Sequence, residues 1–183
     1  FKNKKYSFKQ INVKNKLNAF IKIRKLIMSL DISNIKYLLQ IISKTKLRKS
    51  YYNKFMSWEH IKEIDRDSLF TIGSHTLSHP ILRNETLEFV KNQILDSKLK
   101  IEKKLNHKIN YLAYPYGSIR EVNNREFNIA KELEFEIAFT TSCKNENTNL
   151  FSLPRIVLTD YFKLKGIDIR LNGLSNFLGS QFG

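Results

Sequence analysis

Between Leu69 and Val157 the chain alternates short β-prone runs with longer stretches of helical periodicity, and this alternation constrains the fold more than any other feature. Leu69-Phe70-Thr71-Ile72-Gly73 reads as a strand stopped by glycine at a loop. A helix is predicted from Glu85 to Leu105, with Asn84 as its cap and Asn106 as its stop. Leu87, Val90, Ile94, Ile101 and Leu105 form its inward stripe. Tyr111 to Tyr114 reads as the next strand, broken by Pro115-Tyr116-Gly117. A helix from about Arg120 to Leu133 then leads to the strand Glu136–Thr140, and after an Asn-rich loop Leu153 to Val157 form a last strand. Pro154 sits at its start, where a missing N–H is tolerated. Strand, helix, strand, helix, strand is the pattern of parallel βα units, so the class is α/β. In such units functional loops lie at the carboxyl ends of strands, which is where Ser74–His79 and Pro115–Gly117 fall.

The region before these units is helical by the same reasoning. Val13, Leu17, Phe20, Ile23, Ile27 and Leu30 recur every three or four residues and predict one amphipathic helix. Ile35 to Ile42 predicts a second; Leu38, Leu39, Ile41 and Ile42 make it apolar almost all round and so buried. Lys-rich turns follow around Lys44 to Lys49. Ser57 reads as the N-cap of a helix reaching about Asp65, with Glu59 in its first turn and Trp58, Ile61 and Ile64 facing inward. With 183 residues, 42% of them hydrophobic, and 13 Phe, the chain is large and apolar enough for one sizeable core, which argues against disorder over most of its length.

Charge is unevenly spread. Residues 1–60 carry fifteen Lys and Arg against Asp31 and Glu59, whereas the remainder carries seventeen against fifteen. One reading is a basic face that meets a phospholipid surface, an acidic polysaccharide or nucleic acid. The other is compositional drift toward Lys, Asn and Ile. The sequence holds no RNA- or DNA-binding motif, and its aromatics fall at helical spacing, so a nucleic acid partner is not expected. No apolar run approaches the roughly 20 residues that a membrane-spanning helix needs. No segment of signal-peptide type is present, and the chain starts at Phe1 without a methionine, so further sequence upstream is expected. The compartment stays open between cell envelope and cytoplasm. Cys143 is the only cysteine; it can form no intrachain disulfide and reads as a bystander.

Of the four histidines, only His75 and His79 are paired. One helical turn would put both imidazoles on one side, close enough to share a divalent ion, and zinc, nickel or cobalt would suit two imidazoles plus a carboxylate. Thr76 and Ser78 could orient the rings or the loop backbone around them. By spacing alone the pair reads equally as two unrelated, partly exposed histidines. His60 and His107 read as solvated residues at helix ends.

Gly73-Ser74-His75-Thr76-Leu77-Ser78-His79-Pro80, followed after a helix by Ala113-Tyr114-Pro115-Tyr116-Gly117, resembles the polysaccharide deacetylase family. Met56-Ser57-Trp58-Glu59, Asp96-Ser97-Lys98 and Leu153-Pro154-Arg155-Ile156 add to the likeness, which covers roughly residues 55–175. The resemblance implies an incomplete or distorted (β/α) barrel over 55–183, with residues 1–54 as a basic α-helical segment inserted within or before it. It implies that His75 and His79 are metal ligands, zinc foremost, with Thr76 and Ser78 supporting them. It also implies that Tyr114, Pro115 and Gly117 line the acetyl site, and that the backbone N–H of Tyr116 stabilises the oxyanion. The activity implied is hydrolysis of N-acetyl, or else O-acetyl, groups on a polysaccharide, oligosaccharide or lipid-linked sugar.

Three departures qualify this. The family's Asp-Asp motif, source of the base and the third ligand, has no counterpart, because no two aspartates are adjacent anywhere. Ala113 stands where an arginine often opens the proline motif, leaving Arg155 as the candidate for tuning the base. No histidine follows His107 to act as the family's late general acid. Either the missing residues lie upstream, or the chain is an inactive homologue that binds carbohydrate. A third reading keeps only a basic protein acting on membranes or anionic polymers through residues 1–54.

Overall fold

A computed structural model describes residues 12–42, 55–142 and 149–155. The longest helix, α4 (Leu87–Leu105), forms on the predicted stripe except at its first residue: Val90 and Ile94 are fully buried and Ile101 and Leu105 half-buried, but Leu87, in the first turn, is exposed. Its cap is Thr86 rather than Asn84, with the Thr86 hydroxyl accepting from Phe89 N–H at 3.3 Å. Asn84 ends a short 3-10 turn, Leu82–Asn84, and spends its side-chain amide on the carbonyls of Met28 and Leu30. Asn106 ends α4 in the left-handed conformation, as a C-terminal stop requires.

Three parallel strands, β1 (Tyr111–Ala113), β2 (Ile137–Thr140) and β3 (Leu153–Pro154), stand in chain order, with Leu112 opposite Ala138 and Phe139 opposite Leu153. Helix α5 (Asn124–Glu132) crosses from β1 to β2. It starts later than Arg120 because Ser118–Val122 closes a turn of its own, and Asn123 and Glu126 then form a capping box. Leu112 and Ala138 pack in one core with Val90 and Ile94 of α4 and with Ile129 and Ala130 of α5. Tyr111, Ala113 and Phe139, alternating with them, border a cavity of 470 Å³. Helices on one face and a cavity on the other, with strands in sequential order, make part of a (β/α) barrel. The α/β, incomplete-barrel expectation holds.

The expected strand Leu69–Gly73 does not form as a strand. Asp67 turns the chain first: its carboxylate accepts from Leu69 N–H and its carbonyl from Phe70 N–H, a local turn that overrides the β-prone residues. What remains is a single parallel bridge, Ser74 to Leu112. Of the last strand, Ile156 and Val157 lie outside the described residues, as do the Lys-rich turns of 44–49.

The first two helices shift against expectation. α1 (Val13–Ile27) ends before Leu30, because Ser29 and Leu30 turn back onto the carbonyls of Leu26 and Ile27. α2 (Ile32–Ile42) starts before Ile35, because the Asp31 carboxylate accepts from Asn34 N–H and Glu85 accepts from Ile32 N–H at 2.5 Å. Asn84 and Glu85 thus moor both helices to the start of α4. The predicted burial fails in part: Ala19, Leu30 and Leu38 are buried, but Val13, Leu17, Phe20 and Leu39 are exposed. Helix α3 (Trp58–Asp65) begins at Ser57 as predicted, with Trp58, Ile61 and Ile64 half-buried. Among the described residues no helix is long and apolar enough to cross a membrane.

Candidate metal and acyl site

The two loops singled out by sequence meet at the carboxyl end of β1. Ser74 anchors the first: its N–H donates to Tyr111 O at 2.8 Å, its carbonyl accepts from Ala113 N–H at 2.9 Å, and its buried hydroxyl donates to Ser97 of α4 at 3.0 Å. Gly73 precedes it because a Cβ there would sit 3.1 Å from Tyr111 O. The loop then curls tightly. Thr76 and His79 both take positive φ, 65° and 54°, and the Thr76 hydroxyl accepts from His79 N–H at 3.2 Å. Ser78 is tied to α4, donating from its N–H and its hydroxyl to the Gln93 side-chain oxygen, each at 2.9 Å. Thr76 and Ser78 therefore hold the loop backbone rather than the rings.

The ring of His75 is set by backbone. Its Nδ1 lies 2.5 Å from the Ala113 carbonyl, which can only accept, so Nδ1 carries the proton and Nε2 keeps its lone pair. Although open to solvent on one side, the ring loses enough water to surrounding protein to favour its neutral form, and the nearby His79 and Arg155 push the same way. The rings of His75 and His79 stand edge to face with centroids 4.9 Å apart. Two imidazoles bound to one ion by bonds of about 2 Å at a tetrahedral angle have centroids roughly 5 Å apart, so the pair fits a shared divalent ion. Among the described residues no Asp, Glu or Cys joins them as a third ligand.

Tyr116 faces the pair, its ring 4.8 Å from that of His79. Like Thr76 and His79 it holds a positive φ, 58°, and Gly117 follows at 78°. Left-handed backbone at a residue with a side chain, such as Tyr116, is costly and persists only where neighbours over-determine it. Here they do. Thr141 donates to Tyr116 O from its hydroxyl at 3.0 Å and to Gly117 O from its N–H at 2.8 Å, and Gly117 N–H closes onto Pro115 O. The Tyr116 N–H donates to no acceptor among the described residues, which leaves it for a ligand. Gly117 is needed twice, for its φ and because a Cβ would lie 3.1 Å from Thr141 N.

Two expectations change. Tyr114 and Pro115 are fully buried, and the Tyr114 hydroxyl donates to Phe151 O at 3.1 Å, so both support the turn from the core instead of lining an acetyl site. Burial, with Glu126 nearby, pushes the Tyr114 phenol far above its usual range and keeps it neutral. Gly117 is buried too; Tyr116 is the exposed member of the motif. Arg155, just past β3, braces the turn, donating to Tyr114 O at 2.8 Å and Tyr116 O at 3.4 Å. Its burial favours loss of the proton and lowers its pKa. Sequence reasoning missed Gln93, Thr141 and the Ala113 carbonyl, none of which carries a sequence signal. His60 and His107 stand apart: His60 Nδ1 accepts from Ser57 N–H in the α3 cap, and His107 Nε2 pairs with Asp65 at 2.8 Å. Cys143 lies outside the described residues.

Residues 24–138 match the sequence profile of a family described as polysaccharide deacetylase. Among solved structures, the deacetylase PplD of Streptococcus pyogenes, determined with acetate, is similar at 26% identity and a TM-score of 0.53, covering 61% of this chain and 49% of that one. IcaB from Ammonifex degensii aligns at 24% identity and a TM-score of 0.51 over 58% of this chain and 49% of its own. A polysaccharide deacetylase from Bacillus cereus aligns at 22% identity and 0.53 over 62% and 35%. The chain thus spans half or less of the length of these structures. No curated protein matches it significantly.

Proposed function

We propose, from the premise that this chain belongs to the polysaccharide deacetylase family, that it carries the histidine pair and the acyl-binding turn of an enzyme hydrolysing N-acetyl, or O-acetyl, groups on a glycan. The observation that carries this reading is that the His79 ring stands 4.9 Å from that of His75 and 4.8 Å from that of Tyr116. Residues 55–183 are read as the deacetylase-like unit and 1–54 as a basic helical segment inserted within or before it, and the family match begins inside that segment.

Each residue of this chain has a task that its contacts support. His75 and His79 would hold a divalent ion, zinc foremost and nickel or cobalt as alternatives, through imidazoles whose tautomer at His75 is fixed by Ala113 O. Such an ion, when bound, supplies Lewis acidity toward an acyl oxygen and lowers the pKa of water. Thr76, Ser78 and Gln93 hold the loop backbone that carries the two rings. Tyr116 offers its N–H to the acyl oxygen as negative charge grows there, a contact stronger in the transition state than in the ground state. Arg155 and Thr141 hold that N–H in place through the Tyr114, Tyr116 and Gly117 carbonyls. The base and the third ligand are carboxylates that no described residue supplies.

That gap favours a second reading, a homologue that binds acetylated carbohydrate without turnover. The two are separated by metal binding and acetate release measured together. The enzyme reading expects about one divalent ion per chain, lost in His75→Ala/His79→Ala, and acetate release from an N-acetylated oligosaccharide that falls with it. Equal metal content in wild type and variant would end the metal assignment. Metal and glycan binding without acetate release, measured with the chain joined to an upstream segment that supplies the paired aspartates, would select the second reading.

A further inference from the structure

α1 has no acidic residue in its sequence, and its outer face is exposed among the described residues. Val13, Leu17, Phe20 and Ile21 are 82, 56, 62 and 53% exposed, whereas Ala19 on the opposite side is buried. At 100° per residue Val13, Leu17, Phe20 and Arg24 fall in one row with Ile21 beside it. Lys14 and Lys25 flank the row on one side and Lys16 on the other, all exposed. The patch continues beyond the helix. Phe20, Ile21, Arg24 and Lys25 face Ile119, 71% exposed, and Arg120 across one groove. Glu121 lines the same groove, but its carboxylate is turned onto the N–H and hydroxyl of Ser118.

Bulky apolar side chains bordered by cations, with no anion of the described residues on this face left facing outward, match the boundary between phosphate headgroups and acyl chains. A soluble acidic polymer would satisfy the cations and leave four large apolar side chains in water. We propose that this face of α1, continued by Ile119 and Arg120, lies on the surface of a bilayer containing anionic phospholipid. Ile119 follows the Tyr116-Gly117 turn by two residues, so that turn would sit close to the headgroups. This rests on the deacetylase reading and deepens it toward glycans anchored in or near the membrane.

The test is co-sedimentation of the full chain with phosphatidylglycerol vesicles and with phosphatidylcholine vesicles. Wild type should pellet with the anionic vesicles only, and its binding should fall steeply with salt. Leu17→Ser/Phe20→Ser and Arg24→Glu/Lys25→Glu should each lower partition by about tenfold or more, since each removes one of the two attractions. All four side chains are largely outside the core, and circular dichroism checks that the variants fold. As an independent readout, Phe20→Trp in a Trp58→Phe background should shift its emission to the blue on adding anionic vesicles. Pelleting of the variants like wild type, equal pelleting with both vesicles, or no emission shift would overturn the proposal. So would a lipid-free dimer abolished by Leu17→Ser/Phe20→Ser, which would assign the stripe to a second copy. Metal loading read on the same samples tests the deacetylase reading separately.

Discussion

Helices α1 and α4 share one sequence period and end in different places. In α4 the predicted stripe reaches the core, and Val90 and Ile94 are fully buried beneath the sheet. In α1 the equivalent stripe divides: Val13, Leu17 and Phe20 face away from the protein, Ile23 and Ile27 are half-buried and Leu30 is buried, and the helix is held there, by Ala19 and by bonds from Asn84 to the carbonyls that follow it. Periodicity therefore specifies that a helix forms and which residues share a face. It does not specify which face meets the core, because that depends on what else packs nearby.

The contrast can be broken by mutation. Ile94→Ala should cost about 2–5 kcal/mol, since a fully buried branched side chain leaves a cavity among Val90, Leu112 and Ile129. Leu17→Ala should stay within about 0.5 kcal/mol, as an exposed position with no packing to lose. Urea unfolding of both variants decides it, and a large loss for Leu17→Ala would mean that α1 is covered after all. Gly117→Ala extends the comparison to the site, where the backbone itself is fixed. Its φ of 78° and the 3.1 Å approach to Thr141 N predict a loss of about 2 kcal/mol, and a neutral result would show that the turn can relax.

Asn84→Ala tests the mooring of α1 and α2. Two hydrogen bonds to Met28 O and Leu30 O should be worth about 1–2 kcal/mol together, with amide exchange speeding up in α1 before α4. Exchange rising equally in both helices would make them one cooperative unit. The smallest effect concerns α3, which is tied to the end of α4 through His107 and Asp65. Both His107 ring nitrogens meet acceptors, Lys108 O and the Asp65 carboxylate, so the bonded ring is an imidazolium. Its pKa is raised, first by the Lys108 carbonyl and then by Asp65. The contribution is complete below the unfolded value near 6.5 and fades as pH climbs through the higher folded value. Asp65→Asn should therefore lower stability on the acid side of 6.5 and converge on wild type in alkali. A deficit that persists unchanged into alkali would assign Asp65 another role.

The sequence carried the helices α3 and α4, the parallel order of the units and the two loops of the site, because these follow from caps, periods and turn residues. It misplaced the segment before Ser74, where the local turn at Asp67 outweighed a run of β-prone side chains. Nor did it show that Tyr114, read by resemblance as lining the acetyl site, is fully buried beside Phe127. The positive φ values at Thr76, His79 and Tyr116 had no signal at all, since none is a glycine or an asparagine. Such strain is imposed from outside the segment, by Gln93, Thr141 and Arg155 across the sheet end.

The Ala113 carbonyl that orients His75 has a practical side. A main-chain oxygen survives nearly every substitution at its own position, so side-chain scanning would pass over residue 113 in silence and record it as dispensable. Its importance would surface only when β1 slips in register or when the amide is replaced by an ester. Anyone transplanting the His-Thr-Leu-Ser-His loop into another scaffold must bring along a neighbouring strand end, or the first imidazole will be free to turn.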